Sequence, residues 1–177
     1  MHDTLALVRV PVHVMVRPRE GGFVYNDAEY ALMKKAVVDA KAAGAAGVVF
    51  GMLNDDGTFD VTRTRELIAL ARPLRVAVHR AFDHCADPDA GLETLLALGV
   101  NVLLTAGHAP TALEGAATLQ RLVAMAGNRM VILAGGSVRA ENVHAIVARS
   151  GVSEVHARAT SPGIIAGLAA ALRDQPR

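Results

Sequence analysis

Tryptophan is absent and aromatic residues make up only 3% of the 177-residue chain. A core must therefore be assembled from Ala, Val, Leu and Ile, a palette that suits buried parallel strands covered by Ala-rich helices. Cysteine is nearly missing as well. The single Cys85 excludes an intrachain disulfide and any thiolate cluster of metal-ligand spacing, and it points to a reducing, cytoplasmic setting. Neither sign of charge is in excess: 18 Lys+Arg face 17 Asp+Glu, a formal net charge of +1. With no window that concentrates basic residues, nucleic acid is not an expected partner. No apolar run approaches the ~20 residues of a membrane span. The N-terminal stretch is interrupted by Asp3, Arg9, His13 and Arg17, and no signal-peptide cleavage site follows it.

What is present is a rhythm. Hydrophobic residues account for 52% of the chain, enough for a sizeable core. Short apolar runs recur at 12–16, 47–50, 75–79, 101–105, 130–133 and 154–157. Most are apolar at consecutive positions, as strands buried on both faces are. Between them lie segments of helical spacing at 27–43, 61–71, 88–98, 110–125, 139–149 and 162–172. The first places Ala28, Leu32, Ala36, Val37 and Ala40 on one face and ends at Gly44. The third has Asp87 as N-cap, Pro88 in the first turn and Gly99 beyond the last. Strand and helix alternating in this way predict βαβ units with right-handed crossovers. The expected fold is α/β, a TIM-type (β/α) barrel in one domain over 1–177. About six of the eight βα units are present.

In such a fold, polar side chains at the C-terminal ends of strands meet ligands. The first strand offers His13, Arg17 and Arg19; the two arginines flank Pro18, which holds them in an extended path where two guanidinium forks can meet one anion. Solvated loop arginines are the plainer reading. The third strand ends in His79, Arg80 and Asp83, with His79 expected inward. His79 and Asp83 are candidates for a general base and its orienter, or for hard metal ligands. The plainer alternative is a hydrogen-bonded core histidine beside an Arg80–Asp83 loop pair. Thr105 ends the fourth strand. Gly135 and Gly136 end the fifth, in a turn whose backbone N–H groups can approach an anion. His156 ends the sixth as a further catalytic candidate. No ligand set of metal-binding spacing emerges, and Met15, Met52 and Met130 read as core.

Five strings in this order, P-V-H-V-M-V-R-P-R at 11–19, G-V-V-F-G at 47–51, H-R-A-F-D at 79–83, L-L-T-A-G at 103–107 and E-V-H-A at 154–157, resemble the CutC copper-homeostasis family from about residue 11 onward. The resemblance implies a (β/α) barrel, a cytoplasmic protein and a role in copper homeostasis or copper ion binding. It carries the family's polar strand-end positions onto His13, Arg17, Arg19, His79, Arg80, Asp83, Thr105 and His156. Three departures stand out. The family's Gly-Gly-Gly turn is Gly135-Gly136-Ser137, Arg158 replaces a small residue, and the family's first two strands, with their R-I-E-L-C segment, have no counterpart. A copper site built on that segment's cysteine does not transfer.

Three functional readings follow: a copper-homeostasis protein, a barrel enzyme for a small anionic or phosphorylated metabolite, and a non-functional remnant. Six units of an eight-stranded barrel would leave two open edges and uncover apolar interior residues, with Val14, Val48, Val78 and Ile132 as candidates. Losing several hundred Å² of apolar burial at about 25 cal/mol per Å² costs on the order of 10 kcal/mol, comparable to the stability of a domain. The isolated monomer is therefore expected to be marginal: either two chains associate across the gap as a homo-oligomer, or the strands rearrange, or the protein aggregates and is rescued by restoring the upstream units. Sedimentation at micromolar concentration together with a urea melt checks this, and a well-behaved monomer with an ordinary cooperative transition would overturn it.

Overall fold

The computed structural model describes residues 7–173; Asp3, expected to interrupt the N-terminal apolar stretch, lies outside them. Two compact units divide the chain, Met1–Asn101 and Val102–Arg177. In the first, β1 (His13–Met15), α1 (Asp27–Ala42), β2 (Gly47–Phe50), α2 (Val61–Ala71), β3 (Arg75–Val78), a 3₁₀ turn (Arg80–His84) and α3 (Pro88–Leu98) follow one another. In the second, β4 (Val102–Thr105), α4 (Ala116–Ala126), β5 (Val131–Gly135), α5 (Val143–Ser150), β6 (Glu154–His156) and α6 (Pro162–Arg173) continue the alternation. The six expected βα units are thus all found among the described residues, and within each unit consecutive strands pair in parallel.

Local chemistry sets the helix ends. Asn26 and Glu29 form a reciprocal capping box at the start of α1, with both hydrogen bonds at 2.9 Å. Asp60 caps α2 by accepting from the Arg63 N–H, and Asp87 caps α3 by accepting from the N–H groups of Asp89 and Ala90. Gly99 ends α3 in the left-handed region at φ 75°, where a side chain would be strained. The buried face of α1 is the expected one only at Val37 and Ala40. Tyr30, Met33, Val37 and Ala40 are buried, while Leu32 is 59% exposed. An aromatic and a methionine seat this helix, and the alanines that dominated the pattern contribute less.

Two helices start later than their apolar pattern suggests. The helix expected from residue 110 starts at Ala116, because the preceding segment folds back on the end of β4. Gly115 lies so close that a Cβ there would fall 1.8 Å from the Ala106 carbonyl oxygen, and the Ala112 N–H donates to the Gly136 carbonyl. The helix expected from residue 139 starts at Val143. There the Asn142 side chain accepts from the Arg139 N–H and donates to the Ser137 carbonyl, holding a turn in place of a helical one.

The strands have a covered and a less covered face. Val48 and Phe50 on β2, and Val76 and Val78 on β3, are sealed beneath the helices, whereas Val49 is only half-buried and Met15 is 55% exposed. Register pairs Val14 with Val48 and Val48 with Val76, so Val14 belongs to the covered face too. Ile132 occupies the equivalent face in the second unit, beside Leu103 and against α4. The four residues expected to line the opposite, interior side therefore all sit under helices. The cause is parity: Gly47, Gly51 and His79 occupy the other face, which fixes their neighbours on this one. Val48→Ala should lower stability by about 2 kcal/mol. Val49→Ala should cost under about 1 kcal/mol, because its side chain is already half in water. Urea denaturation of both variants checks the assignment, and equal losses would contradict it.

Candidate functional site

His13, Gly47 and Arg75 share one level at the N-terminal ends of β1, β2 and β3. Four residues further along each chain, the same register brings Arg17, Gly51 and His79 side by side at the C-terminal ends. It is carried past the strands by Val16 N–H donating to the Val49 carbonyl and His79 N–H donating to the Phe50 carbonyl. Alternation puts all six residues on the less covered face. Gly51 makes the room: a Cβ there would lie 2.9 Å from the His79 ring atoms Cε1 and Nδ1.

His79 is only 4% exposed, and its environment defines its chemistry. The Ala81 N–H donates to Nδ1 at 3.2 Å, so the ring proton sits on Nε2. Nε2–H is buried without a hydrogen-bond partner among the described residues. Burial holds the pKa down at about 4, opposed by a backbone hydrogen bond and assisted by the Arg17 charge. The result is a neutral imidazole that presents a donor. Asp83 does not orient it. That carboxylate is only 4% exposed and pairs with Arg80 Nε at 2.6 Å, so the loop pairing considered above as the plainer alternative is what forms.

The segment after β1 supplies the rest. The Phe23 ring lies 5.2 Å from the rings of both His79 and His84, and the Arg17 guanidinium lies over it at 4.6 Å. Arg17 is exposed and donates through Nη2 to the Gly21 carbonyl. Tyr25 is 5% exposed, and its hydroxyl has no hydrogen-bond partner of normal geometry among the described residues. Burial raises its pKa, with Arg17 acting in the opposite direction. Arg19, expected beside Arg17 on an anion, is spent on structure. It forks onto Glu29, Nε to Oε1 at 2.5 Å, and donates to the carbonyls of Glu20, Gly22 and Val24. Its guanidinium also covers the Tyr25 ring at 5.1 Å.

His13 is not part of this group. It stands at the opposite end of β1, its ring against Gly47. In the second unit, Thr105 is fully buried on the covered face, where its Oγ1 accepts from the Gly107 N–H at 2.8 Å. Gly135 and His156 are paired in register on the other face, with the Leu104 side chain packed where a Gly135 Cβ would be. His156 is exposed, and partial desolvation still lowers its pKa. Gly136 adopts φ 115° and Ser137 φ 55°, a tight turn closed by Ala112. The helix that follows begins only at Val143, so this turn does not itself form a helix N-terminus.

Copper is poorly matched by these groups. Among the described residues, no three His, Cys, Asp or Glu are placed to hold a metal ion. Cys85 is buried, its Sγ donates to the Asp87 carbonyl at 3.3 Å, and burial pushes the thiol pKa up to about 11. A protonated thiol is not the soft thiolate that Cu(I) selects. Sequence reasoning missed Phe23, Tyr25 and Gly51. The aromatic pair in a chain with only four Phe and two Tyr was the available signal.

The family model described as "CutC family" matches residues 1–161. A CutC family protein of Vibrio vulnificus is 46% identical over 152 residues, which is 85% of this chain and 61% of the relative. The copper homeostasis protein cutC homolog of Homo sapiens is 46% identical over 154 residues, 87% of this chain and 56% of the relative. The chain thus spans about three fifths of the length of the curated relatives it matches. Among solved structures, a CutC of Streptococcus agalactiae superposes with a TM-score of 0.82 at 31% identity, covering 88% of this chain and 76% of that one. A solved aldolase gives a TM-score of 0.67 at 17% identity over 87% of this chain and 71% of its own. At that identity only the α/β, TIM-barrel type of fold is shared.

A buried neutral histidine has a consequence for pH. The His79 pKa is about 4 folded against about 6.5 unfolded, so between these values the unfolded chain binds more protons. Stability is therefore full above pH 6.5 and falls as the pH drops toward 4, by up to about 3 kcal/mol. His156, shifted the same way, adds to the loss. Urea midpoints at pH 7 and pH 5 should differ measurably, and His79→Gln should remove most of the difference. An unchanged pH slope in that variant would contradict the burial argument.

Proposed function

The chain belongs to the CutC family, and from that premise we propose that it takes part in copper homeostasis. The observation that carries the reading is the 46% identity to the human protein named for that role, spread over 87% of this chain. In this reading copper enters as a relation of the pathway and not as a resident cofactor, since among the described residues the buried thiol and the scattered histidines offer no fitting ligand set. The lone Cys85 supports a cytoplasmic setting. Exposed Met15 on β1, with exposed Val10 ahead of it, supports pairing with a second copy along that edge.

A second reading, a (β/α) enzyme or binder for a small anionic metabolite, is favoured by one observation: Arg17 and the inward Nε2–H of His79 stand in one row at strand C-termini. In that reading His79 acts as a neutral donor that polarises a carbonyl or stabilises an oxyanion, because its depressed pKa suits donation better than proton abstraction. Arg80 and Asp83 hold the turn behind it. Thr105, Gly135, Gly136 and His156 are the second unit's candidates, with His156 the titratable one.

Expression of the chain in a bacterial host lacking its own family member should restore growth in copper-supplemented medium; no restoration at comparable protein levels would count against the main reading. Cu(I) titration of the purified chain under reducing conditions should give only weak binding, unchanged in Cys85→Ala. A tight stoichiometric complex that this substitution abolishes would show that copper is held directly.

A further inference from the structure

Two buried donors at the end of the first unit's sheet lack acceptors. His79 Nε2–H is at least nine-tenths buried and has no hydrogen-bond partner among the described residues; the equally buried Tyr25 hydroxyl is approached by the Arg17 side chain, which can only donate, and has no acceptor of normal geometry for its own proton. Leaving a donor unsatisfied in an apolar setting costs about 1–3 kcal/mol. Such groups persist where a ligand completes them. Both lie within the electrostatic reach of one cation, Arg17, which acts on Tyr25 and on His79. The other cations around them are committed, Arg19 to Glu29 and Arg80 to Asp83.

We infer that Arg17, the Tyr25 hydroxyl and His79 Nε2–H together receive one carboxylate group of a small-molecule ligand. The inference rests on the anionic-ligand reading above and makes it specific. The charge count selects the class. One guanidinium and two neutral donors balance a single negative charge, whereas a phosphate dianion would leave one charge uncompensated in a partly desolvated place. A carboxylate has two oxygens with about four lone-pair sites, enough for a guanidinium edge and two further donors. Phe23, 5.2 Å from the His79 ring and beneath the Arg17 guanidinium, forms an apolar wall of the site. Gly51 keeps the row open, since any larger residue there would strike the imidazole.

Side-chain NMR titration of the labelled 177-residue chain with acetate, and separately with inorganic phosphate, tests the assignment. Acetate should shift the His79 and Arg17 side-chain N–H resonances and should bind more tightly than phosphate. Tyr25→Phe keeps the ring that Arg19 covers, and Arg17→Met keeps the aliphatic stem. Each should weaken acetate binding about tenfold, the worth of a hydrogen bond to a charged group. Acetate binding that both variants leave intact would overturn this site while sparing the anionic reading. Phosphate binding more tightly than acetate at these residues would overturn the carboxylate assignment. Binding of neither anion anywhere on the chain would remove both the inference and the reading beneath it.

Discussion

The parallel register of β1, β2 and β3 is the constraint from which the rest of the site follows. Once His13, Gly47 and Arg75 are level, the residues four positions on are level too, and the side chains of one parity share a face. Glycine at both Gly47 and Gly51 in the middle strand leaves space on each side, filled by the His13 ring at one end and the His79 ring at the other. A one-residue slip would turn His79 beneath the helices and bring Val78 out in its place. Packing of Val48, Phe50, Val76 and Val78 under α1 and α2 opposes such a slip, because it would expose four fully covered apolar side chains.

The loop from Arg17 to Asn26 is the second determinant, and Glu29 organises it. One carboxylate completes the α1 capping box and also receives the Arg19 fork. Hydrogen bonds from both lower the Glu29 pKa, Arg19 contributing more than Asn26. Arg19 then gathers three loop carbonyls and covers the Tyr25 ring, while Phe23 packs beside His79. The two arginines flanking Pro18 thus have different tasks. Arg19 ties the loop to Glu29, and Arg17 lies over the Phe23 ring and donates to the Gly21 carbonyl.

The relation to copper is constrained by the same interior. The groups proposed to act at the strand ends are hydrogen-bond donors, a guanidinium, a phenol and an imidazole N–H, and they suit an oxygen anion better than a metal cation. Cys85 lies elsewhere, its sulfur packed against Gly91 beyond the 3₁₀ turn. Family membership and ligand chemistry therefore address different links of the chain from structure to role. The first relates the chain to proteins named for copper homeostasis, and the second bears on the ligand proposed for the strand-end site.

Much of the fold was legible in the residues themselves. The repeat of short apolar runs and helical segments, the caps at Asp87 and Gly99, and the bounds of β2, α2 and α3 all follow from local propensity and turn chemistry, which act over a few residues. The inward placement of His79 was also within reach. Which face of each strand lies under helices was not, because runs that are apolar at every position carry no period-two signal. Val14, Val48, Val78 and Ile132 could not be placed for that reason. The starts of α4 and α5 depended on a close backbone approach at Gly115 and on an Asn142 side-chain bond, both invisible to apolar spacing. The division of labour between Arg17 and Arg19, and the recruitment of Phe23 and Tyr25, were decided by contacts that only the folded loop creates. A guanidinium's partner is set by what tertiary structure brings within about 3 Å, and residue order alone does not contain that distance.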